Sequence, residues 1–161
     1  MNDNDLRYLR RCVDLASEAV DAGDQPFGSV LVSRDGQIVF EDRNRTGGGD
    51  PTRHPEFAIV RWAAEHLSAE ERREAIVYTS GEHCAMCAAA HGLAGMGRIV
   101  YATSSVQLGE WLRDLGEPQL GIAPLRITEV VPGAIVEGPV LAFADEVRAL
   151  HARARARQAR G

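Results

Sequence analysis

Apolar residues recur at steps of three and four through Leu6, Leu9, Val13, Ala16 and Val20, which predicts an amphipathic helix over residues 6–21. Gly23 and Pro26 end it. Phe27 to Val32 and Ile38 to Phe40 are two apolar runs separated by Arg34, Asp35 and Gly36. An Asp-Gly pair between such runs predicts a β-hairpin. A loop with successive glycines at Gly47, Gly48 and Gly49 follows. Helical spacing returns at Pro55 and continues through Phe57, Ile59, Val60, Ala63, Ala64 and Leu67. Proline suits the first helical position because its missing N–H would have no partner there. The mixed charges from Glu70 to Glu74 read as a solvated connector. Ala75 to Thr79 predicts a third strand, Cys84 to Gly95 a helix of small residues, and Arg98 to Ala102 a fourth strand. Trp111, Leu112 and Leu115 suggest a short helix, and Leu125 to Val131 a fifth strand. Pro139 to Ala156 predicts a closing helix, with Val140, Phe143, Ala144, Val147 and Leu150 on one stripe.

A hairpin followed by strands alternating with helices predicts an α/β fold: a three-layer α/β/α sandwich around a mixed five-stranded sheet. The pattern contains no internal repeat and no linker, so residues 1–161 read as a single domain. The composition, 45% hydrophobic and 25% charged, is that of an ordinary globular chain. A net charge of −5 argues against a general nucleic-acid binder, which needs clustered cations to neutralise phosphates. The one basic cluster, Arg153, Arg155, Arg157 and Arg160, reads as a solvated helix end that suits the C-terminal dipole. No apolar run approaches the ~20 residues of a membrane helix. The opening Asn2-Asp3-Asn4-Asp5 has no secretory character. Three cysteines suit a reducing, cytoplasmic setting better than a disulfide framework. Cys12 lies on the first helix's apolar stripe and reads as core.

The other two cysteines change the picture. Cys84 and Cys87 open one helix, and His54 and Glu56 open another. Helix N-termini stabilise thiolates, and open α/β sheets place ligands beyond the ends of their strands. Zinc favours sulfur and imidazole in a tetrahedron. His54, Cys84 and Cys87 supply three ligands for one zinc ion per chain and leave a fourth position to water. A closed structural site would need a fourth protein ligand. His83 adjoins Cys84, His66 lies at the far end of its helix, and His91 falls one turn beyond Cys87, where spacing alone permits it. An open site gives Glu56 a role: zinc lowers the pKa of water from ~16 to about 7, and a carboxylate beside the metal can take and deliver protons. Standing alone, Glu56 would be only a helix-start acid favoured by the dipole.

His54-Pro55-Glu56 and His83-Cys84-Ala85-Met86-Cys87 resemble the H-x-E and P-C-x-x-C signature of the zinc-dependent cytidine and nucleobase deaminase superfamily. Pro26-Phe27-Gly28, Asn44, Asp50-Pro51-Thr52, Tyr78-Thr79-Ser80 and Met86-Cys87-Ala88 are similar to the branch holding guanine deaminases, fungal cytosine deaminase and bacterial tRNA adenosine deaminase. The likeness covers residues 6 to about 102. It implies zinc on His54, Cys84 and Cys87, a proton shuttle at Glu56, a substrate hydrogen bond from Asn44 and a pocket wall at Phe27. Asn44 could instead shape the glycine loop, and Phe27 could be core. Asp114 and Glu110 fall where guanine deaminases carry a base-contacting acid; an exposed helix acid is the plainer reading. Trp111 either closes over the base or is core. Two positions depart from the pattern: His83 replaces a proline, and Pro55 replaces an alanine whose N–H donates to substrate in several relatives.

The resemblance implies hydrolytic deamination of a free nucleobase or related aminated heterocycle, of the guanine, cytosine or amino-triazine type. A tRNA adenosine is the alternative. It is weakened by the acidic charge and by residues 103–116, which lack the Lys-Thr-Gly-Ala-Ala-Gly run of that branch. The expected partner is thus a small base rather than a nucleic acid or a membrane. Relatives of this kind are usually dimers, and the small residues of the third long helix would let a second backbone approach, so a homodimer is expected. Two rivals of other classes remain: a C-x-x-C thiol oxidoreductase, which leaves His54 and Glu56 unexplained, and a non-catalytic zinc module.

Overall fold

The computed structural model describes residues 2–117 and 121–159; Arg160 of the basic cluster lies outside them. Helix α1 (Asp3–Asp21) starts three residues earlier than its apolar stripe because Asn2 and Asp5 form a reciprocal capping box. Strands β1 (Gly28–Val32) and β2 (Ile38–Arg43) form the expected antiparallel hairpin. Helix α2 (Pro55–His66) follows, with proline in its first turn. Residues 69–74, read from sequence as a connector, are helical: α3 (Ala69–Glu74) is held by a Ser68–Glu71 capping box. Then come β3 (Ile76–Gly81), α4 (Ala85–Leu93), β4 (Ile99–Thr103) and α5 (Ser105–Asp114).

The sheet order is β2-β1-β3-β4-β5. β1 pairs antiparallel with β2 and β3, while β3, β4 and β5 run parallel. Alternation along the strands splits two apolar layers. Val30, Val32, Tyr78, Val100 and Ala102 join α1 and the C-terminal helix on one face. Leu31 and Val77 meet Ile59 and Ala63 of α2 on the other, where Ile99 also meets Ala88 of α4. The three-layer α/β/α sandwich with a mixed five-stranded sheet is as expected.

One strand is misplaced by the sequence pattern. The run Leu125 to Val131 does not form the fifth strand. Its centre is the short helix α6 (Ile127–Val130), and β5 is Val136–Glu137. The Ile127 amide donates to the Glu82 carboxylate and the Arg126 amide to the Glu129 carboxylate at 2.8 Å, so the local backbone is tied into a turn. The slot beside β4 then falls to Val136 and Glu137, opposite Ile99 and Val100. The closing helix α7 (Ala144–Gln158) also starts later than predicted, after a 3-10 turn at Leu141–Phe143. Arg153 and Arg157 of the basic cluster pair with Asp21 of α1 rather than standing free in solvent.

Gly28 marks the closest approach of α1 to the sheet. A Cβ there would meet the Cys12 carbonyl oxygen at 2.5 Å and the Ala16 nitrogen at 2.8 Å, both backbone atoms of α1. Neither can swing aside as a side-chain end would. Gly28→Ala is therefore expected to destabilise the fold by about 1–3 kcal/mol, measured as a lower urea midpoint with unchanged slope.

Candidate metal centre and cavity

The N-terminal turns of α2 and α4 meet beside the C-terminal end of β3. His54 and Cys84 are the N-cap residues of these helices, and both are extended in backbone. Cys87 lies one turn into α4. His54 Nδ1 is 3.7 Å from each sulfur, and the sulfurs are 3.6 Å apart. Zinc–sulfur bonds of about 2.3 Å and zinc–nitrogen bonds of about 2.05 Å in a tetrahedron require edges of about 3.8 Å between sulfurs and about 3.6 Å from nitrogen to sulfur. The triangle matches these edges closely, so the three side chains fit the ion without rearrangement.

The titration of the triangle points the same way. A hydrogen bond from Cys87 pulls the Cys84 thiol down to about 4, with help from His54 and from the Cys87 backbone amide. The same contact, with burial, pushes Cys87 far up. Cys84 holds His54 above its usual value. The pair thus favours one anionic sulfur, Cys84, as a cation site needs.

A fourth protein ligand is not available among the described residues; the only such cluster they contain is His54, Cys84 and Cys87. His91 turns away to the Gly97 carbonyl at 2.8 Å. His66 stacks on Trp62 at the far end of α2. His83 is buried edge-on against His91.

Glu56 is 4% exposed, in the first turn of α2. Its Oε1 accepts from the Thr79 hydroxyl at 2.8 Å and the Ser29 hydroxyl at 3.2 Å, and the two hydroxyls lie 2.9 Å apart. Ser29 and Thr79 stand directly opposite each other on β1 and β3. Burial raises Glu56 above the usual carboxylate range, against the opposing pull of His54 and the Thr79 hydroxyl. A raised pKa makes the carboxylate a better proton acceptor near neutrality. Ser29 and Thr79 are fully buried polar residues of strands that are mostly apolar, and Thr79 lies in the Tyr78-Thr79-Ser80 run.

A cavity of about 450 Å³ opens onto this centre. His54, Glu56, Cys84, Asn44 and Phe27 all line it. Asn44 is 1% exposed, and its Oδ1 accepts from the Thr46 amide at 3.0 Å and the Thr46 hydroxyl at 2.7 Å. That fixes the side-chain amide so that its NH₂ is left for the cavity. Asp114 is not brought to the site: it is exposed and pairs with Arg148 at 2.8 Å. Glu110 is exposed as well. Trp111 is packed in the core and is not among the cavity-lining residues.

Glu117, His151 and Arg155 also line the cavity, where the sequence pattern placed none of them. Glu117 follows the C-terminal turn of α5, where Gly116 has φ +69° and the Glu117 amide returns to the Leu112 carbonyl at 2.8 Å. This Schellman turn aims the chain inward. Leu108, Leu112 and Leu115, at helical spacing, mark the α5 face that closes the cavity and were the available cue. Arg155, read as a solvated arginine, is ion-paired with Glu117 at 2.9 Å.

With the geometry in place, the family model for the cytidine and deoxycytidylate deaminase zinc-binding region matches residues 2–103. The chain belongs to this family. It is a zinc-dependent deaminase with the family's His/Cys/Cys metal site. A probable cytosine deaminase of Schizosaccharomyces pombe is 30% identical over 73% of this chain and 71% of its own length. The guanine deaminase of Bacillus subtilis is 39% identical over 66% and 69%. A tRNA-specific adenosine deaminase of Agrobacterium fabrum is 38% identical over 57% and 62%. A deaminase-fold structure solved in complex with 8-azaguanine superposes with a TM-score of 0.69 at 21% identity, covering 92% of this chain and 84% of that one. The redox rival is left with no account of an imidazole equidistant from both sulfurs, whereas a deaminase centre requires it.

Removing either hydroxyl frees one side of Glu56 without touching a metal ligand. Ser29→Ala and Thr79→Val are each expected to keep the zinc content while lowering kcat about tenfold, the cost of one buried hydrogen bond to a charged group. Zinc analysis and steady-state ammonia release check this.

Proposed function

We propose that this deaminase hydrolyses the exocyclic C–N bond of a free nucleobase or related aminated heterocycle. The observation that carries this reading is a buried carboxylate, Glu56, held by two hydroxyls beside a three-ligand zinc site that lines the same cavity. Bound zinc supplies Lewis acidity, which brings the pKa of water from ~16 to about 7. Glu56 takes the proton of the attacking water and delivers it to the ring nitrogen beside the carbon under attack. It then carries a second proton to the departing amine. One water is consumed, the C–N bond breaks, ammonia leaves and a ring carbonyl remains. The Asn44 NH₂ donates to an acceptor on the ring edge, as its fixed amide favours. Leu108, Leu112 and Leu115 cover the ring face and keep other water out.

An uncharged base suits a chain of net charge −5 whose cavity carries the acid Glu117 opposite a single arginine. The 8-azaguanine complex of a fold neighbour supports a purine-sized ligand. The similarity to a tRNA-specific adenosine deaminase keeps an anticodon-loop adenosine as the second reading. No helix of the described residues is long and apolar enough to cross a membrane.

Glu56→Gln is expected to retain one zinc per chain and to lose about a hundredfold to ten-thousandfold in ammonia release. The assay runs guanine, cytosine, melamine and a tRNA anticodon stem-loop side by side. Undiminished turnover by that variant refutes the shuttle, and turnover of the stem-loop alone replaces the free base with RNA.

Homodimer formation is part of the proposal. It is supported by α4, where the small, half-buried Ala89 and Ala90 precede Leu93, a leucine 91% exposed. Solution scattering is expected to give twice the mass of the chain, reduced by Leu93→Glu; a monomeric wild type contradicts it.

A further inference from the structure

Helix α7 lies outside the segment that carries the family's motif, yet it brings an imidazole to the reaction cavity. His151 is 5% exposed and lines the same cavity as Asn44 and Glu56. Its ring meets Phe27 edge-on, with centroids 5.4 Å apart at 73°, and lies 6.0 Å from Trp111. Val147, Leu150 and Ala154 anchor α7 in the core on either side of it. The ring is therefore held in place by packing alone.

Among the described residues, none makes a hydrogen bond or ion pair with His151. Its nitrogens also differ from those of His83, both of which are sealed inside protein without a partner. A histidine this buried with no partner loses the hydration of an N–H and of a lone pair. A phenylalanine would fill the same space between Phe27 and Trp111 without that loss. What the polar atoms can reach is the cavity. Arg155, one turn further along α7, is already engaged by Glu117. His151 is thus the unengaged polar group that α7 offers to a ligand. Burial holds it down to about 4, so the ring is neutral and has one donor and one acceptor.

We propose that His151 determines substrate specificity: one ring nitrogen hydrogen-bonds the polar edge of an uncharged aminated heterocycle that lies against Phe27. The inference rests on the deaminase reading above and deepens it. Asn44 supplies a fixed donor, whereas His151 either donates or accepts according to its tautomer. An edge carrying a lactam N–H or C=O, as in oxo-bases, meets that need, and a purely hydrocarbon edge does not.

The test uses the zinc-loaded full chain with guanine, cytosine and melamine. His151→Phe keeps the ring packing and removes both polar atoms. It is expected to keep its zinc content and unfolding midpoint and to change kcat less than about threefold, while KM for the preferred base rises about tenfold or more. His151→Gln restores a donor and an acceptor and is expected to recover part of that loss. Calorimetric binding of the deaminated product is expected to weaken in step with KM. If His151→Phe loses its fold, His151→Leu takes its place in the comparison with His151→Gln. An unchanged KM in the apolar variant, or equal KM values in the apolar and glutamine variants, overturns the inference. Wild-type protein that releases ammonia from none of the three bases overturns the free-base reading and this inference with it; wild-type turnover with an indifferent His151→Phe overturns the inference alone.

Discussion

Everything at the centre depends on holding one nitrogen and two sulfurs within 3.7 Å of one another. Such a triangle is unfavourable in an apo chain, because two thiols and an imidazole must share protons in a half-buried place. The fold imposes it by aligning two helix starts. α2 and α4 pack side by side on one face of the sheet, and their first turns come together where β3 ends. The α4 N-terminus offers free amides, which favour an anionic sulfur at Cys84. The depressed Cys84 and elevated Cys87 describe a pair with one anionic sulfur, as a cation site needs.

A second constraint grows from the sheet itself. Ser29 and Thr79 are cross-strand partners, and their hydroxyls point to the α2 face. The buried Glu56 carboxylate is therefore braced by strands while its neighbour His54 is placed by a helix. Gly28, next to Ser29, lets α1 press against the opposite face, and its amide donates to the Ser80 hydroxyl at 3.1 Å. Stability on one face and positioning on the other thus meet in adjacent residues of β1. This is why the strand is buried over its whole length.

The cavity's other walls have a different origin. α5 and α7 close it from the far side, and Glu82 links the start of α5 to α6: its carboxylate accepts from the Ser105 amide and hydroxyl and from the Ile127 amide. The match to the family model ends at residue 103, just before these elements begin. The metal ligands lie within the family's matched segment, 2–103, whereas these walls belong to the remainder of this chain. Glu117, His151 and Arg155 sit there.

Local pattern was enough to find the hairpin, the helices that carry ligands, and the residues His54, Glu56, Cys84 and Cys87. Each of those depends on short spacings: a helix start, a pair of cysteines one turn apart, a carboxylate two residues from a histidine. It failed at Leu125 to Val131, where apolar alternation was overruled by a carboxylate 45 residues distant that captured the Ile127 amide. It offered Asp114 as a base contact, whereas Asp114 pairs with Arg148 and the turn at Gly116 brings Glu117 to the cavity instead. By itself the sequence determined that a zinc-type ligand set exists with a carboxylate beside it, because one-turn geometry fixes which side chains point together. Only the tertiary structure decided which distant residues brace that carboxylate and enclose the cavity. Contacts such as Ser29–Glu56 and Phe27–His151 join elements far apart in the chain, and no local periodicity records which faces will meet.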